Sequence, residues 1–113
     1  MDFSVENTNT VILSRVNPPA MVETVLFQVP VSSRAFVEGI TACNRSTNAQ
    51  SLRISISAQG LPTALKDFVY FDLPIRANDT LLVELDFTMN ASDVIRIFAS
   101  SQDLSFILYG YLV

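Results

Sequence analysis

The amino-acid sequence predicts an all-β protein, an antiparallel β-sandwich of jelly-roll-like form with about eight strands and an extended N-terminal arm. Apolar and polar residues alternate with a period of two along most of the chain after residue 20. Clusters of Asn, Asp, Ser and Pro interrupt these runs at intervals of about 8–12 residues, which is typical of short strands joined by turns. Apolar stripes of helical period extend over no more than a few residues. A single domain is expected at a length of 113 residues.

The first 19 residues differ from the rest of the chain and allow two interpretations. They are mostly polar as far as Thr10, contain a short apolar patch, and end in the stiff pair Pro18-Pro19. They could form a first edge strand followed by a bend. Alternatively, residues 1–19 are an arm that pairs with a neighbouring subunit, and residues 20–113 are the sandwich domain. The apolar residues that such an arm would bring to an interface are Phe3, Val5, Val11, Ile12 and Leu13.

Three segments predict strands with one polar face. Residues 52–58 and 81–88 place apolar side chains on one side and polar side chains on the other. Residues 36–43 also alternate, and Glu38 belongs on the outside of the sandwich. The predicted inner face of this strand therefore consists of Val37, Gly39, Thr41 and Cys43.

Three further segments predict strands, at residues 68–73, 94–99 and 104–113, and the first and last of these are apolar on both faces. Only one face of a sandwich strand lies in the core, so the other must be covered by something else. A subunit interface, packing within the chain and an aromatic platform for sugars are the three interpretations. The aromatic residues concerned are Phe68, Tyr70, Tyr109 and Tyr111.

The composition excludes several kinds of chemistry. The chain has no His, which removes Ser–His and Cys–His nucleophiles and zinc sites with His ligands. Its single cysteine, Cys43, cannot form an intramolecular disulfide and is expected to be a small buried hydrophobe. Seven Lys and Arg against eleven Asp and Glu give a net charge of −4, which opposes binding to nucleic acid. We therefore predict a protein that is not an enzyme and has no catalytic residue, metal ligand or cofactor.

The charged residues offer candidates that also have ordinary structural explanations. Glu84 and Asp86 lie two residues apart on the polar face of one strand, so their carboxylates point the same way. Such a pair could serve glycoside hydrolysis or bind Ca²⁺, but we interpret it as a solvated strand face. Asp79, Asp93 and Asp103 fall at turns and are expected to cap backbone groups. The arginines that lie in or beside strands are Arg45, Arg53 and Arg96, which either pair with carboxylates across an interface or remain surface charges.

Targeting and membrane-spanning segments are not expected. The N-terminal residues include early acids and lack a basic region followed by an apolar stretch, so no signal peptide is predicted. The uncharged run at residues 104–113 is far shorter than the roughly 20 apolar residues that span a bilayer. A soluble, non-secreted product is expected, in which the sequons at Asn44, Asn78 and Asn90 serve as turn residues.

The middle and end of the chain carry a series of short motifs. They are Cys43-Asn44-Arg45, Tyr70-Phe71-Asp72, Asn78-Asp79-Thr80, Asp93-Val94-Ile95-Arg96-Ile97-Phe98-Ala99 and Leu104-Ser105-Phe106. In this order and spacing they resemble a group of small β-sandwich proteins encoded in the structural gene clusters of tailed bacteriophages. The resemblance covers about residues 24–113. It departs from the usual pattern at Phe71 and Phe98, where the group often has Tyr.

The resemblance implies a virion structural protein and offers no catalytic residue to transfer. Small jelly-roll proteins of this size commonly decorate phage heads as cement. This implies a homo-oligomer, with a trimer as the expected state, that binds the major capsid protein on the capsid surface after synthesis in the host cytoplasm. The interface would use the arm, the outer faces of the strands at residues 68–73 and 104–113, and Arg96. The alternative is a tail, fibre or vertex-spike module that binds host-surface glycan. Neither role involves nucleic acid or a membrane.

Overall fold

The structure is a computed structural model, and it describes residues 10–113. These residues form eight strands, as the sequence predicts: β1 (Val11–Val16), β2 (Thr24–Gln28), β3 (Ala35–Asn44), β4 (Gln50–Ser57), β5 (Phe68–Ile75), β6 (Thr80–Met89), β7 (Val94–Ala99) and β8 (Leu104–Leu112). Two single-turn 3₁₀ helices, Ala58–Gly60 and Leu65–Asp67, lie in the connection between β4 and β5. Within this part of the chain, no helix has the length and hydropathy needed to cross a membrane.

The strands form two four-stranded antiparallel sheets packed face to face. The first sheet has the order β1-β8-β3-β6, and the second has the order β2-β7-β4-β5. Every pairing is antiparallel. Each connection except the one between β4 and β5 passes from one sheet to the other. This order of strands is that of a jelly roll, so the predicted fold class is confirmed.

A single hydrophobic core fills the space between the sheets. Its largest side chains are fully buried and come from both sheets, among them Phe106 and Ile40 in the first sheet and Leu52, Ile54 and Ile97 in the second. Burying each side chain of this size contributes about 1.5–3 kcal/mol. The core is therefore formed by the side chains on the inner face of each sheet, and the side chains on the outer faces are available for other contacts.

The N-terminal part of the described chain belongs to the sandwich. Val11–Val16 forms the edge strand β1, which pairs with β8 and corresponds to the first of the two interpretations of this region. The hydroxyl of Ser14 donates to the carbonyl of Leu26, which joins the β1 and β2 edges of the two sheets. Residues 1–9 lie outside the described residues, and with them the proposed arm contacts Phe3 and Val5.

A β-bulge interrupts the alternation of β3. Val37 pairs with Gly110 and Gly39 pairs with Tyr109, so Glu38 is an extra residue relative to β8. An extra residue of this kind moves the side chains that follow it in the strand to the opposite side of the sheet from the one that simple alternation predicts.

The bulge explains why the predicted inner face of β3 is wrong beyond its first residue. Val37 is buried in the core, as predicted, but Ile40 and Ala42 occupy the inner face after the bulge. Thr41 and Cys43 are half-buried and lie on the outer face of the sheet. The expectation that Cys43 is a buried core residue is therefore wrong as well.

The other alternating strands face as predicted, except at Ala58, which is exposed in the 3₁₀ helix that follows β4. In β6, Val83 is buried and Leu81, Leu85 and Phe87 pack against the core, while the intervening residues are exposed. In β4, Leu52 and Ile54 are fully buried. These strands carry their polar residues at regular intervals, which is why period-two alternation identified their faces.

Candidate interaction surfaces

The outer face of the first sheet carries an aromatic and acidic surface, which we call the tyrosine face. Its members come from all four strands of the sheet: Ile12, Phe36, Glu38, Leu82, Glu84, Asp86, Tyr109 and Tyr111. The Tyr111 ring stacks on the Phe36 ring with a centroid distance of 5.3 Å and an interplanar angle of 29°. Ile12 and Leu82 flank the aromatic residues and are 57% and 53% exposed. The two tyrosines predicted as interface residues in β8 therefore lie on one surface.

Tyr109 is placed by a glycine on the neighbouring strand. A Cβ atom at Gly39 would lie 2.6 Å from the Tyr109 hydroxyl oxygen and 2.8 Å from the carbonyl oxygen of Val83. Because real Cβ contacts are longer than this, only glycine lets the tyrosine ring lie so close to β3. The β3 bulge is what brings Gly39 opposite Tyr109 on the outer face.

The negative charges of three carboxylates act on the Tyr109 hydroxyl. Glu38 lies at the β3 bulge, where Thr10 donates a hydrogen bond to its carboxylate. Glu84 pairs with Gly39 across the β3–β6 ladder, and Asp86 follows two residues later, so this predicted carboxylate pair does share an exposed face. Partial burial of the ring, and then the negative charges of Glu38, Glu84 and Asp86, raise the pKa of the Tyr109 hydroxyl. The tyrosine therefore stays a neutral hydrogen-bonding group on a negatively charged surface.

The acidic residues of the tyrosine face lack the arrangement of a metal site. Among residues 10–113, no three His, Cys, Asp or Glu side chains come together in a way that could hold a metal ion. Every buried side-chain nitrogen or oxygen in that range also has a hydrogen-bond partner. The face is thus an open, charged surface.

The outer face of the second sheet carries a different cluster, which we call the arginine clamp: Arg53, Phe71, Asp72 and Phe98. The Arg53 guanidinium carbon lies 4.0 Å from the centroid of the Phe71 ring and 4.5 Å from that of Phe98. Its Nε donates to Oδ1 of Asp72 at 2.7 Å. Arg53 therefore finds its carboxylate partner within the chain. Phe68, a predicted interface residue, packs edge-on against Phe71 at 5.0 Å between centroids.

Tyr70 faces neither of these surfaces. It pairs with Ile54 and packs against the core, because bulges in β5 turn it to the inner face of the second sheet. With Leu73 and Leu81 it lines a groove of about 470 Å³ between the β5 and β6 edges of the sandwich. The four predicted aromatic residues are thus spread over three places, and they do not form one platform.

Arg96 fastens a loop to the second sheet. Its Nη1 donates to the Ser57 hydroxyl at 3.1 Å, to the Leu61 carbonyl at 3.0 Å and to the Thr63 hydroxyl at 3.0 Å. These bonds hold the connection between β4 and β5 against the outer face of β4 and β7. The structure gives Arg96 this role within the chain, whereas the sequence interpretation placed it at a subunit interface.

Asn44 joins three segments at one end of the sandwich, a role that sequence reasoning recognised only in part. Its side chain is fully buried, and its Oδ1 accepts hydrogen bonds from the backbone N–H and the hydroxyl of Ser46. Its Nδ2 donates to the carbonyls of Asn48, Ile75 and Arg76. The prediction that this sequon is turn chemistry is confirmed, and its position at the end of an apolar strand was the available signal for burial.

Two of the three predicted turn aspartates also cap backbone groups. The Asp79 carboxylate accepts a hydrogen bond from the N–H of Thr80 at 2.8 Å, and that of Asp93 accepts one from the N–H of Asn90 at 2.9 Å. Asp103 lies in the turn before β8, where its carbonyl accepts a hydrogen bond from the N–H of Arg45.

Comparisons of the chain with protein-family models, with curated protein sequences and with solved structures found no match.

Proposed function

We propose that this protein is a structural component of a phage virion that decorates the head as a cement protein. The observation that carries the proposal is the exposure of apolar side chains on both outer faces of a tightly packed jelly roll. Ile12 and Leu82 are more than half exposed on the tyrosine face, and Phe71 is 56% exposed on the opposite face. Exposed apolar surface on a rigid fold is typical of a protein that functions in an assembly.

A cement protein requires only modest contacts of this kind. Each copy binds its neighbours or the shell weakly, and symmetric repetition multiplies these contacts into a stable coat. The expected partners are other copies of the chain, as a trimer, and the major capsid protein. The motifs between Cys43 and Phe106, which resemble those of small phage β-sandwich proteins, support the same role.

Copy number in purified virions tests this proposal. The band of this protein on a denaturing gel is quantified against the band of the major shell protein. A ratio near one supports head decoration. A ratio corresponding to a few copies per particle contradicts it.

The second candidate function is a tail, fibre or vertex-spike module that binds host-surface glycan. Tyr109, Tyr111 and Phe36 lie on the same outer sheet face as Glu84 and Asp86, which favours this function because aromatic rings and carboxylates suit sugar recognition. Under this function, Tyr111→Ala abolishes saturable binding to host cells while the thermal unfolding midpoint changes little. Binding that survives this change excludes the tyrosine face as the glycan site.

A further inference from the structure

We propose that the tyrosine face docks an arginine- and lysine-bearing surface of a different protein chain, and that it does not pair with the same face of a second copy. The inference rests on the proposed function for the identity of that chain, which would be the shell protein. It rests on the charges and rings of this face alone for the chemistry of the contact.

The first argument is the charge of the sheet. Its four strands contain the acids Glu38, Glu84 and Asp86 and a single Lys or Arg, Arg15, which gives a net charge of 1 − 3 = −2. Neither of the two salt bridges formed within residues 10–113 involves these three acids. Charge-assisted pairing with a cationic partner is therefore open to all three.

The second argument is the combination of rings with carboxylates. A guanidinium group stacks on aromatic faces and pairs with carboxylates at the same time. The protein shows this preference on its other side, where Phe71 and Phe98 enclose Arg53 and Asp72 neutralises it. The tyrosine face presents the same kinds of group, aromatic rings beside carboxylates, outward to solvent.

The third argument is against pairing of this face with the same face of a second copy. In a two-fold contact each copy presents the same patch, so the carboxylates of one face would meet those of the other. Like charges brought together across an interface cost several kcal/mol. Residues 1–9 contain Asp2 and Glu6 and no Lys or Arg, so that segment of a neighbouring copy does not supply the missing cation either. An acidic face also repels the phosphates of nucleic acids and of anionic lipids.

A titration with hexa-arginine tests the chemistry of the face. Backbone amide shifts of the full-length ¹⁵N-labelled protein are followed by NMR, with a hexa-serine peptide as the neutral probe. We expect shifts that concentrate on the outer-facing residues of β3, β6 and β8. The Glu84→Gln, Asp86→Asn double variant should bind hexa-arginine about tenfold more weakly, because it loses two exposed charge pairs.

The variants are chosen to leave the fold unchanged. Glu84 and Asp86 are exposed, and asparagine tolerates the left-handed backbone of Asp86 (φ 50°) as well as aspartate does. Glu23→Gln, an exposed isosteric change outside the tyrosine face, is the matched control and should bind as the wild type does. Shifts spread evenly over all acidic residues, or equal affinity in the double variant, overturn the inference.

Binding to shells that lack the protein separates this inference from the proposed function. Wild-type binding that weakens with added salt, together with about tenfold weaker binding of the double variant, supports both. Wild-type and double-variant proteins that bind shells equally overturn the inference and leave the cement role standing. Wild-type protein that does not bind shells overturns the cement role, and the peptide titration still decides the chemistry of the face.

Discussion

Removing the Asn44 side chain should destabilise the fold more than any other single change in a polar residue at this end of the sandwich. Its Nδ2 donates to the carbonyls of Asn48, Ile75 and Arg76 at 2.9, 3.3 and 3.1 Å. Its Oδ1 accepts from the N–H and hydroxyl of Ser46 at 2.9 and 2.8 Å. One side chain therefore holds the loop after β3 to the turn after β5.

The magnitude follows from what each partner loses in Asn44→Ala. The amide has two hydrogens for three carbonyls, so about four full hydrogen bonds disappear. The contact with the Ile75 carbonyl is buried, and an orphaned buried acceptor costs about 1–3 kcal/mol. The partners at the surface regain water, and each lost bond there costs about 0.5–1.5 kcal/mol. We expect a total loss of about 3–5 kcal/mol in the free energy of unfolding, out of roughly 6–17 kcal/mol for a domain of this length.

Urea and thermal unfolding, followed by circular dichroism, measure this loss. The midpoint temperature of Asn44→Ala should fall by at least about 12 °C, whereas Asn48→Ala, a change in an exposed side chain of the same loop, should shift it little. Asn44→Asp keeps the shape but turns a carboxylate oxygen toward three carbonyls, so it should destabilise at least as much at neutral pH. A loss below about 1 kcal/mol in both Asn44 variants would show that the network does not hold this end together.

Three further predictions concern the two outer faces. Gly39→Ala should lower the free energy of unfolding, measured in urea, by about 1–3 kcal/mol, because the new methyl group would lie 2.8 Å from the Val83 carbonyl oxygen. An unchanged urea midpoint would show that β3 and β6 move apart at little cost. The pKa of Tyr109 in the folded protein is raised above its ordinary value of 10.0, so the unfolded chain releases this proton at a lower pH than the folded protein does. The contribution of Tyr109 to the free energy of unfolding should therefore be complete below about pH 10 and be lost as the pH rises through the folded-state pKa. Tyr109→Phe should remove this part of the fall above about pH 10, and a fall of the same size in that variant would assign it to other groups. Arg53→Ala should lower the free energy of unfolding by about 1 kcal/mol, because exposed cation–π contacts such as that with Phe71 contribute about 0.5–1 kcal/mol each. Equal urea midpoints for the variant and the wild type would contradict that contribution.

The approximate number of strands and the placement of β3 to β8 could be read from the sequence, because turns and alternation are local signals, whereas β2 was not located. The face of a residue could not be read where a bulge intervenes, since one extra residue reverses the facing of those that follow. This is why Thr41 and Cys43 lie outside and Tyr70 lies inside. Gly39, next to the bulge in β3, was a usable signal, since glycine in a strand often marks a bulge or a close approach.

The tyrosine face could be predicted only in part. Tyr109 and Tyr111 share a face by simple alternation within β8, and Glu84 and Asp86 share one within β6. That these two pairs meet, with Phe36 and Glu38 between them, depends on the order β1-β8-β3-β6. The order places strands side by side that are distant in the chain, and local patterns carry no information on it.

The two outer clusters are built in the same way, which bears on what the tyrosine face does. Asp72 in β5 and Asp86 in β6 both have left-handed backbone in the middle of a strand, with φ values of 56° and 50°. In each case the strand carries an extra residue relative to its partner at that point. A bulge weakens the hydrogen-bond ladder locally and changes the direction of the side chains beside it.

At Asp72 the result is a carboxylate placed to neutralise an arginine that aromatic rings enclose. At Asp86 it is a carboxylate beside tyrosines on an exposed surface, without an arginine of the described chain in a salt bridge with it. The bulge at Asp72 creates a site for an arginine of the same chain on one sheet. The equivalent bulge at Asp86 therefore favours a site for an arginine of another molecule on the other sheet.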